Sequence, residues 1–327
     1  MPERLQQLQH WLTSACEIND FKIEPASGDA SFRRYFRVTT PEGRSLIAMD
    51  APPEKESCRE FVDIARRFAG LGLNVPGILQ EDHENGFLLL DDLGNRLYLS
   101  ELDESNVERY YGDALSALMV LQATCDTANL PAYDEQLLIN EMELFREWLV
   151  TQHYRQTLTD DQNIMLDNVF SLLAANALEQ PQVCVHRDYH SRNLMISEQD
   201  DRPTPGIIDF QDAVIGPITY DLVSLIKDCY IQWPRHRVVD WAKGYAQLCI
   251  QSGLLRPEQE DNFLRWFDLM GVQRHLKAAG IFARLSIRDG KDGYLADIPR
   301  TLSYITELKH EYPELKDLIS LIETLPA

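Results

Sequence analysis

The sequence predicts a two-lobed α+β protein, with a small β-rich lobe over residues 1–94 and a larger, mainly helical lobe over 95–327. Up to about residue 95 the apolar residues come in short β-type runs, and beyond it they recur at helical spacing. A chain of 327 residues is also longer than one core usually serves, so a division into two lobes is expected.

In the first lobe the strand-like runs are Phe21–Glu24, Tyr35–Thr39, Leu46–Asp50 and Gly86–Asp91. One helix interrupts them. Ser57-Cys58-Arg59-Glu60 reads as a capping box, and Phe61, Ile64, Ala65, Phe68 and Leu71 follow on one helical face. A connector is expected near Asp91–Gly94. In the second lobe Ser105-Asn106-Val107-Glu108 reads as another capping box, with a 3.6-residue period behind it. Further helical patterns lie near 134–150, 160–178, 219–230, 236–251, 258–288 and 313–324. Asn193–Ser197 and Gly206–Phe210 read as strands, with Glu198–Pro205 as the hairpin turn between them.

Composition narrows the function. The 31 Lys and Arg residues face 52 Asp and Glu, a formal charge of −21. Such a chain lacks the basic face that binds nucleic acid or anionic lipid. No run reaches the ~20 apolar residues of a membrane helix. The start, MPERLQQLQHWL, does not read as a secretion signal, and the six cysteines are scattered, as expected of thiols in a reducing cytoplasm. No obligate protein partner is implied.

The chemistry concentrates in Val183–Asn193, which contains His186-x-Asp188-x-x-x-x-Asn193. Sixteen residues beyond Asn193, an apolar run ends in Asp209, within Ile207-Ile208-Asp209-Phe210. Together these make a constellation for phosphoryl transfer, which needs positioning, charge neutralisation and an acceptor for the hydroxyl proton. Asp188 would accept that proton. Asn193 and Asp209 would hold Mg²⁺, a hard cation that prefers oxygen ligands. His186 is read as a buttress of the loop. His186, Asp188 and His190 could instead form a transition-metal site, although no further His or Cys stands at ligand spacing.

These motifs, followed by Gly216-Pro217-Ile218-Thr219-Tyr220-Asp221-Leu222, resemble the aminoglycoside phosphotransferase and choline kinase-like branch of the protein-kinase fold. The resemblance covers nearly the whole chain. It implies ATP bound between the lobes and a supporting role for Asp221 beneath the catalytic loop. A closer resemblance is to sugar kinases that phosphorylate the anomeric hydroxyl of N-acetylmuramate and N-acetylglucosamine. It rests on Ser27–Arg37, Met49–Glu54 and the later Gln273–Lys277 and Gly280–Leu285. It implies a cytoplasmic enzyme that makes a sugar 1-phosphate in the recycling of bacterial cell-wall sugars.

The chain departs from the kinase pattern in two places. The segment 27–38, where a kinase carries its glycine-rich loop, contains only Gly28, so Ser31 with Arg33 or Arg34 is expected to share phosphate binding. Met49 stands where kinases carry a phosphate-binding Lys on the strand 46–50, with Lys55 and the arginines of 33–37 as the nearest cations. Glu60 has its capping box as explanation. Phe87–Gly94 resembles the connector that reads adenine, through backbone groups near Asp92 and Leu93.

The acceptor site is sought in Leu269–Arg288, which has no acid but holds Arg274, His275, Lys277, Arg284 and Arg288. Arg274 and Lys277 share a helix face that could receive a carboxylate, which N-acetylmuramate has and an aminoglycoside lacks. Three readings stand at this point. The chain is an amino-sugar 1-kinase, a kinase of another small hydroxyl compound such as an aminoglycoside or choline, or a nucleotide-binding scaffold without catalysis.

Overall fold

The computed structural model describes residues 2–27, 32–197 and 204–326. The expected turn at 198–205 therefore falls mostly outside the described residues, and Ser31 falls wholly outside them. In chain order the elements are α1 (Pro2–Ser14), β1 (Lys22–Ser27), β2 (Arg34–Thr39), β3 (Ser45–Asp50), α2 (Arg59–Gly70), β4 (Ile78–Asp82), β5 (Phe87–Asp91) and α3 (Tyr98–Glu101). Then come α4 (Val107–Thr124), α5 (Glu135–Leu144), which continues as a π-helical segment over Phe145–His153, α6 (Asp160–Leu178), β6 (Gln182–Val185), β7 (Leu194–Met195), β8 (Gly206–Ile207) and β9 (Val214–Pro217). The chain closes with α7 (Tyr220–Ile226), α8 (Arg235–Gln251), α9 (Glu260–Asp289), α10 (Ile298–Thr306) and α11 (Lys316–Glu323). It divides into two compact units, Met1–Tyr98 with Leu194–Asp212, and Leu99–Asn193 with Ala213–Ala327.

The first unit is built on an antiparallel sheet in the order β1-β2-β3-β5-β4. Alternation sends Phe36, Val38, Leu46, Ala48, Phe87 and Leu89 into one buried cluster with Leu8, Trp11 and Leu12 of α1. The α1 helix was not expected from the sequence. Its Leu5, Leu8 and Leu12 stripe is short, and it is secured by tertiary contacts. Arg4 pairs with the fully buried Asp50 at the end of β3, which also takes Arg34. On α2 the buried Phe61 and Phe68 meet Phe210 at ring-centroid distances of 4.9 and 5.7 Å. The short β7–β8 pair belongs to this unit, held by Ile207 N–H to Asn74 (2.7 Å) and Ile196 N–H to Arg96 (2.8 Å).

The second unit is organised around α9, whose thirty residues are touched by α5, α6, α7, α8, α10 and the π-helical segment. Leu269, Val272, Leu276 and Phe282 of α9 share one core with Phe145, Phe170, Leu302 and Leu318. The antiparallel β6–β9 pair was not read from the sequence, because its partners lie 29 to 35 residues apart. Nor was α10. Among the described residues no helix is long and apolar enough to cross a membrane.

Neither expected capping box forms. The N-cap of α2 is Cys58, and Ser57 Oγ accepts from Arg59 N–H (3.1 Å), one position short of the predicted geometry. At α4 the first turn is prepared by Asp103, whose carboxylate takes the N–H groups of Ser105 and Asn106. A reciprocal box does form at Thr159 and Gln162, where the T-x-x-Q pattern stands openly in the sequence.

Gly280 lets α9 approach the junction of α5 and the π-helical segment. A Cβ there would stand 2.3 Å from the Leu144 carbonyl carbon and 2.6 Å from Phe145 N. Gly280→Ala should therefore destabilise the protein by about 1–3 kcal/mol, because backbone must move to admit one methyl. Thermal unfolding followed by circular dichroism checks this, and an unchanged midpoint would show that the junction yields freely.

Candidate active site

Strand β6 delivers the chain into a loop, His186–Asn193, whose path is pinned from several sides. The Asp221 carboxylate, at the start of α7, accepts the backbone N–H groups of His186 (2.7 Å) and Arg187 (3.0 Å). Burial pushes the Asp221 carboxyl up to about 7. His186 Nδ1 accepts from Asp188 N–H (3.2 Å), and Asn193 Nδ2 donates to the Asp188 carbonyl (3.0 Å). Asp228 takes Ser191 N–H (2.9 Å), and Tyr189 hydroxyl donates to the Ala114 carbonyl (2.8 Å). Arg187 is held at φ 77°, a conformation that side chains other than glycine rarely adopt, and its guanidinium pairs with Glu141 at 2.7 Å. The backbone on both sides of Asp188 is thus fixed.

Asp188 lines a pocket with a cavity volume of about 100 Å³, partly open to solvent. Around it stand His190, Tyr220, Arg274, Lys277, Tyr230 and Phe282. Burial opposes the charge on Asp188, yet Lys277, His190, Arg274 and Arg187 outweigh it and hold the carboxyl below the usual range. Lys277 is itself fixed, 2.9 Å from Glu141 and donating to Tyr220 hydroxyl at 2.9 Å. The buried Glu141 therefore serves Lys277, Arg187 and the hydroxyl of Tyr133 together. A carboxylate held ionised on a fixed loop and facing a pocket can take a proton from a bound hydroxyl.

Of the three expected acceptor-site residues, Arg274 and Lys277 line this pocket, but His275 does not. The ring of His275 lies stacked on Tyr304, with Nε2 2.8 Å from the Lys227 carbonyl.

The candidates in the first unit are engaged within it. Arg33 pairs with Glu56 at 2.9 Å, and Arg34 pairs with Asp50. Lys55 lies 5.5 Å from the centre of the Phe32 ring, and Met49 is fully buried. Arg37 grips Asp92 with two donors (2.6 and 3.0 Å), while Ser45 hydroxyl and Gly94 N–H donate to the same carboxylate. Asp92 thus fixes the connector with its side chain. Leu93 sits against Gly206, where an added Cβ would meet its Cδ1 at 3.0 Å. Asp209 is held at φ 63°, and its Oδ1 accepts from Gln211 Nε2 at 2.8 Å. Among the described residues no cluster of three or more His, Cys, Asp or Glu is arranged to hold a metal. Asn193 and Asp209 each carry a side-chain oxygen, the donor chemistry that Mg²⁺ prefers.

Residues 22–256 match the phosphotransferase enzyme family, APH. The chain belongs to this family. It is 45 % identical to the N-acetylmuramate/N-acetylglucosamine kinase of Pseudomonas aeruginosa, over 99 % of this chain and 97 % of that one. It is 46 % identical to the protein of the same name from Pseudomonas putida, over 100 % and 99 %. A choline kinase structure from Cryptosporidium parvum covers 98 % of this chain and 99 % of its own, with a TM-score of 0.65 at 11 % identity. That likeness is one of fold, and it bears out the protein-kinase-like α+β class.

In this phosphotransferase the sequence reading missed Glu141 and Asp228. Glu141 stood only as one acid in a helical pattern, and Asp228 had no motif around it. Their roles come from contacts across 46 and 37 residues.

Burial pushes the His275 imidazole down to about 3 from its ordinary 6.5, so the folded protein keeps it neutral. Stability from this group is complete above pH 6.5 and is lost as the pH falls below it, by about 1.4 kcal/mol per unit. His275→Gln should flatten that dependence. Urea midpoints at pH 6.5 and 4.5 check it, and equal losses in both proteins would show the ring to be protonated in the fold.

Proposed function

We propose that this phosphotransferase moves the γ-phosphoryl group of ATP to the anomeric hydroxyl of N-acetylmuramate or N-acetylglucosamine, giving the sugar 1-phosphate. The observation that carries the reading is Asp188, held ionised on a pinned loop and opening on a pocket, in a chain 45–46 % identical over its length to relatives named for that activity. The acceptor hydroxyl would donate its hydrogen bond to Asp188 and pass its proton there as the oxygen attacks phosphorus. An anomeric hydroxyl is more acidic than an ordinary alcohol, so a carboxylate of depressed pKa is base enough. Lys277, fixed by Glu141 and Tyr220, keeps that base charged and oriented. Asn193 and Asp209 would hold Mg²⁺, which when bound neutralises phosphate charge.

The two cations on the pocket wall suit a neutral or anionic acceptor better than a polycationic aminoglycoside or choline. ATP and an amino sugar as substrates support a cytoplasmic reaction in cell-wall sugar recycling.

Asp188→Asn should lower kcat about 10²- to 10⁴-fold while ATP binding is retained. Turnover with each sugar and nucleotide titration of the variant check this, and near-normal turnover would remove Asp188 from the role of base. Phosphorus NMR of the wild-type reaction should show a 1-phosphate. A 6-phosphate would refute the assignment of the reacting hydroxyl.

A further inference from the structure

Resting on that reading of the acceptor, we propose that Arg274 is the anion receptor of the pocket, seating the carboxylate of an acidic sugar while Asp188 meets its hydroxyl. Arg274 is only 6 % exposed, yet among the described residues it has no ion pair within 4.0 Å. Its Nε has no hydrogen-bond partner there, and Nη1 reaches only the Cys229 thiol, at 3.9 Å. One face lies 5.7 Å from the centre of the Tyr220 ring. Asp188 and Asp228 favour its charge from a distance, but neither pairs with it, and Asp228 is engaged by the N–H groups of Ser191 and Tyr230. A buried guanidinium without a carboxylate lacks the partner that normally compensates its desolvation.

The neighbouring cations do not compete for the role. Lys277 is held by Glu141 and Tyr220, Arg187 is held by Glu141, and His275 faces away. Along α9, Arg274, Lys277, Ala278 and Ile281 fall at i, i+3, i+4 and i+7, so one helix face presents them all to the pocket. The wall continues through Ile281, Phe282 and Tyr230, an apolar surface suited to the face of a pyranose ring. A guanidinium can take a carboxylate with two parallel donors, which an ammonium cannot. The pocket thus offers an anion seat, an apolar platform and a base, and N-acetylmuramate matches all three where N-acetylglucosamine lacks the anion.

The test is the ratio of kcat/KM for N-acetylmuramate to that for N-acetylglucosamine. In Arg274→Gln this ratio should fall about 10- to 100-fold, mainly through KM of the acid, and Arg274→Lys should recover part of it. The methyl ester of N-acetylmuramate, assayed with the wild-type protein, should show a similar loss and needs no variant to fold. A ratio that stays within about threefold of wild type, with both sugars losing kcat alike, would mean that Arg274 acts on Asp188 or on the fold and would overturn the proposal. So would an ester used as well as the acid. Wild-type protein inert toward both sugars would instead overturn the parent reading, and this one with it.

Discussion

The Asp221 carboxylate, buried at the start of α7, takes two consecutive backbone N–H groups as the chain leaves β6. A strand that ends at Val185 would otherwise leave those donors unsatisfied inside the protein, at a cost comparable to a lost hydrogen bond each. By accepting both, Asp221 forces the chain to turn at once. The turn puts Arg187 into its left-handed conformation and swings Asp188 toward the pocket. The β6–β9 ladder places strand and helix in register for this contact, since β9 runs directly into α7. Position, more than intrinsic reactivity, is what the fold supplies to Asp188.

A second layer of control is electrostatic. Glu141 gathers Arg187, Lys277 and the Tyr133 hydroxyl around one buried carboxylate. Burial alone would raise the Glu141 carboxyl, but Lys277 and Arg187 bring it below the ordinary range. The positive charge beside Asp188 is thereby held in place by a negative charge behind it. In the first unit the same device serves a different end. The cations of β2 are tied to Asp50 and Asp92, fixing α1 and the connector.

How much of this was legible in the sequence depended on range. Asp188, Asn193 and Asp209 lie within 22 residues, and their order and spacing could be read as one constellation, while the supporting place of Asp221 followed only from the family resemblance. Strands β2, β3 and β5 declared themselves as short β-type runs. The rest depends on contacts distant in sequence. Nothing near Glu141 says that it meets Arg187, and nothing near Arg34 says that Asp50 occupies it. The capping boxes failed because Ser57 and Ser105 sit one residue too early for the turns that Cys58 and Asn106 begin. His275 was grouped with Arg274 and Lys277 by proximity along the chain, yet helical rotation turns it toward Tyr304.

The sharing of Glu141 constrains how relatives of this chain can diverge. It meets Arg187 of the His186–Asn193 loop, Lys277 of α9 and Tyr133 ahead of α5, three segments far apart in sequence. A change at any one of the four strands a charge or a hydroxyl belonging to the other three. Drift at this cluster is therefore tolerated only as paired replacements, and the four positions should be inherited as a block even where the surrounding helices vary freely.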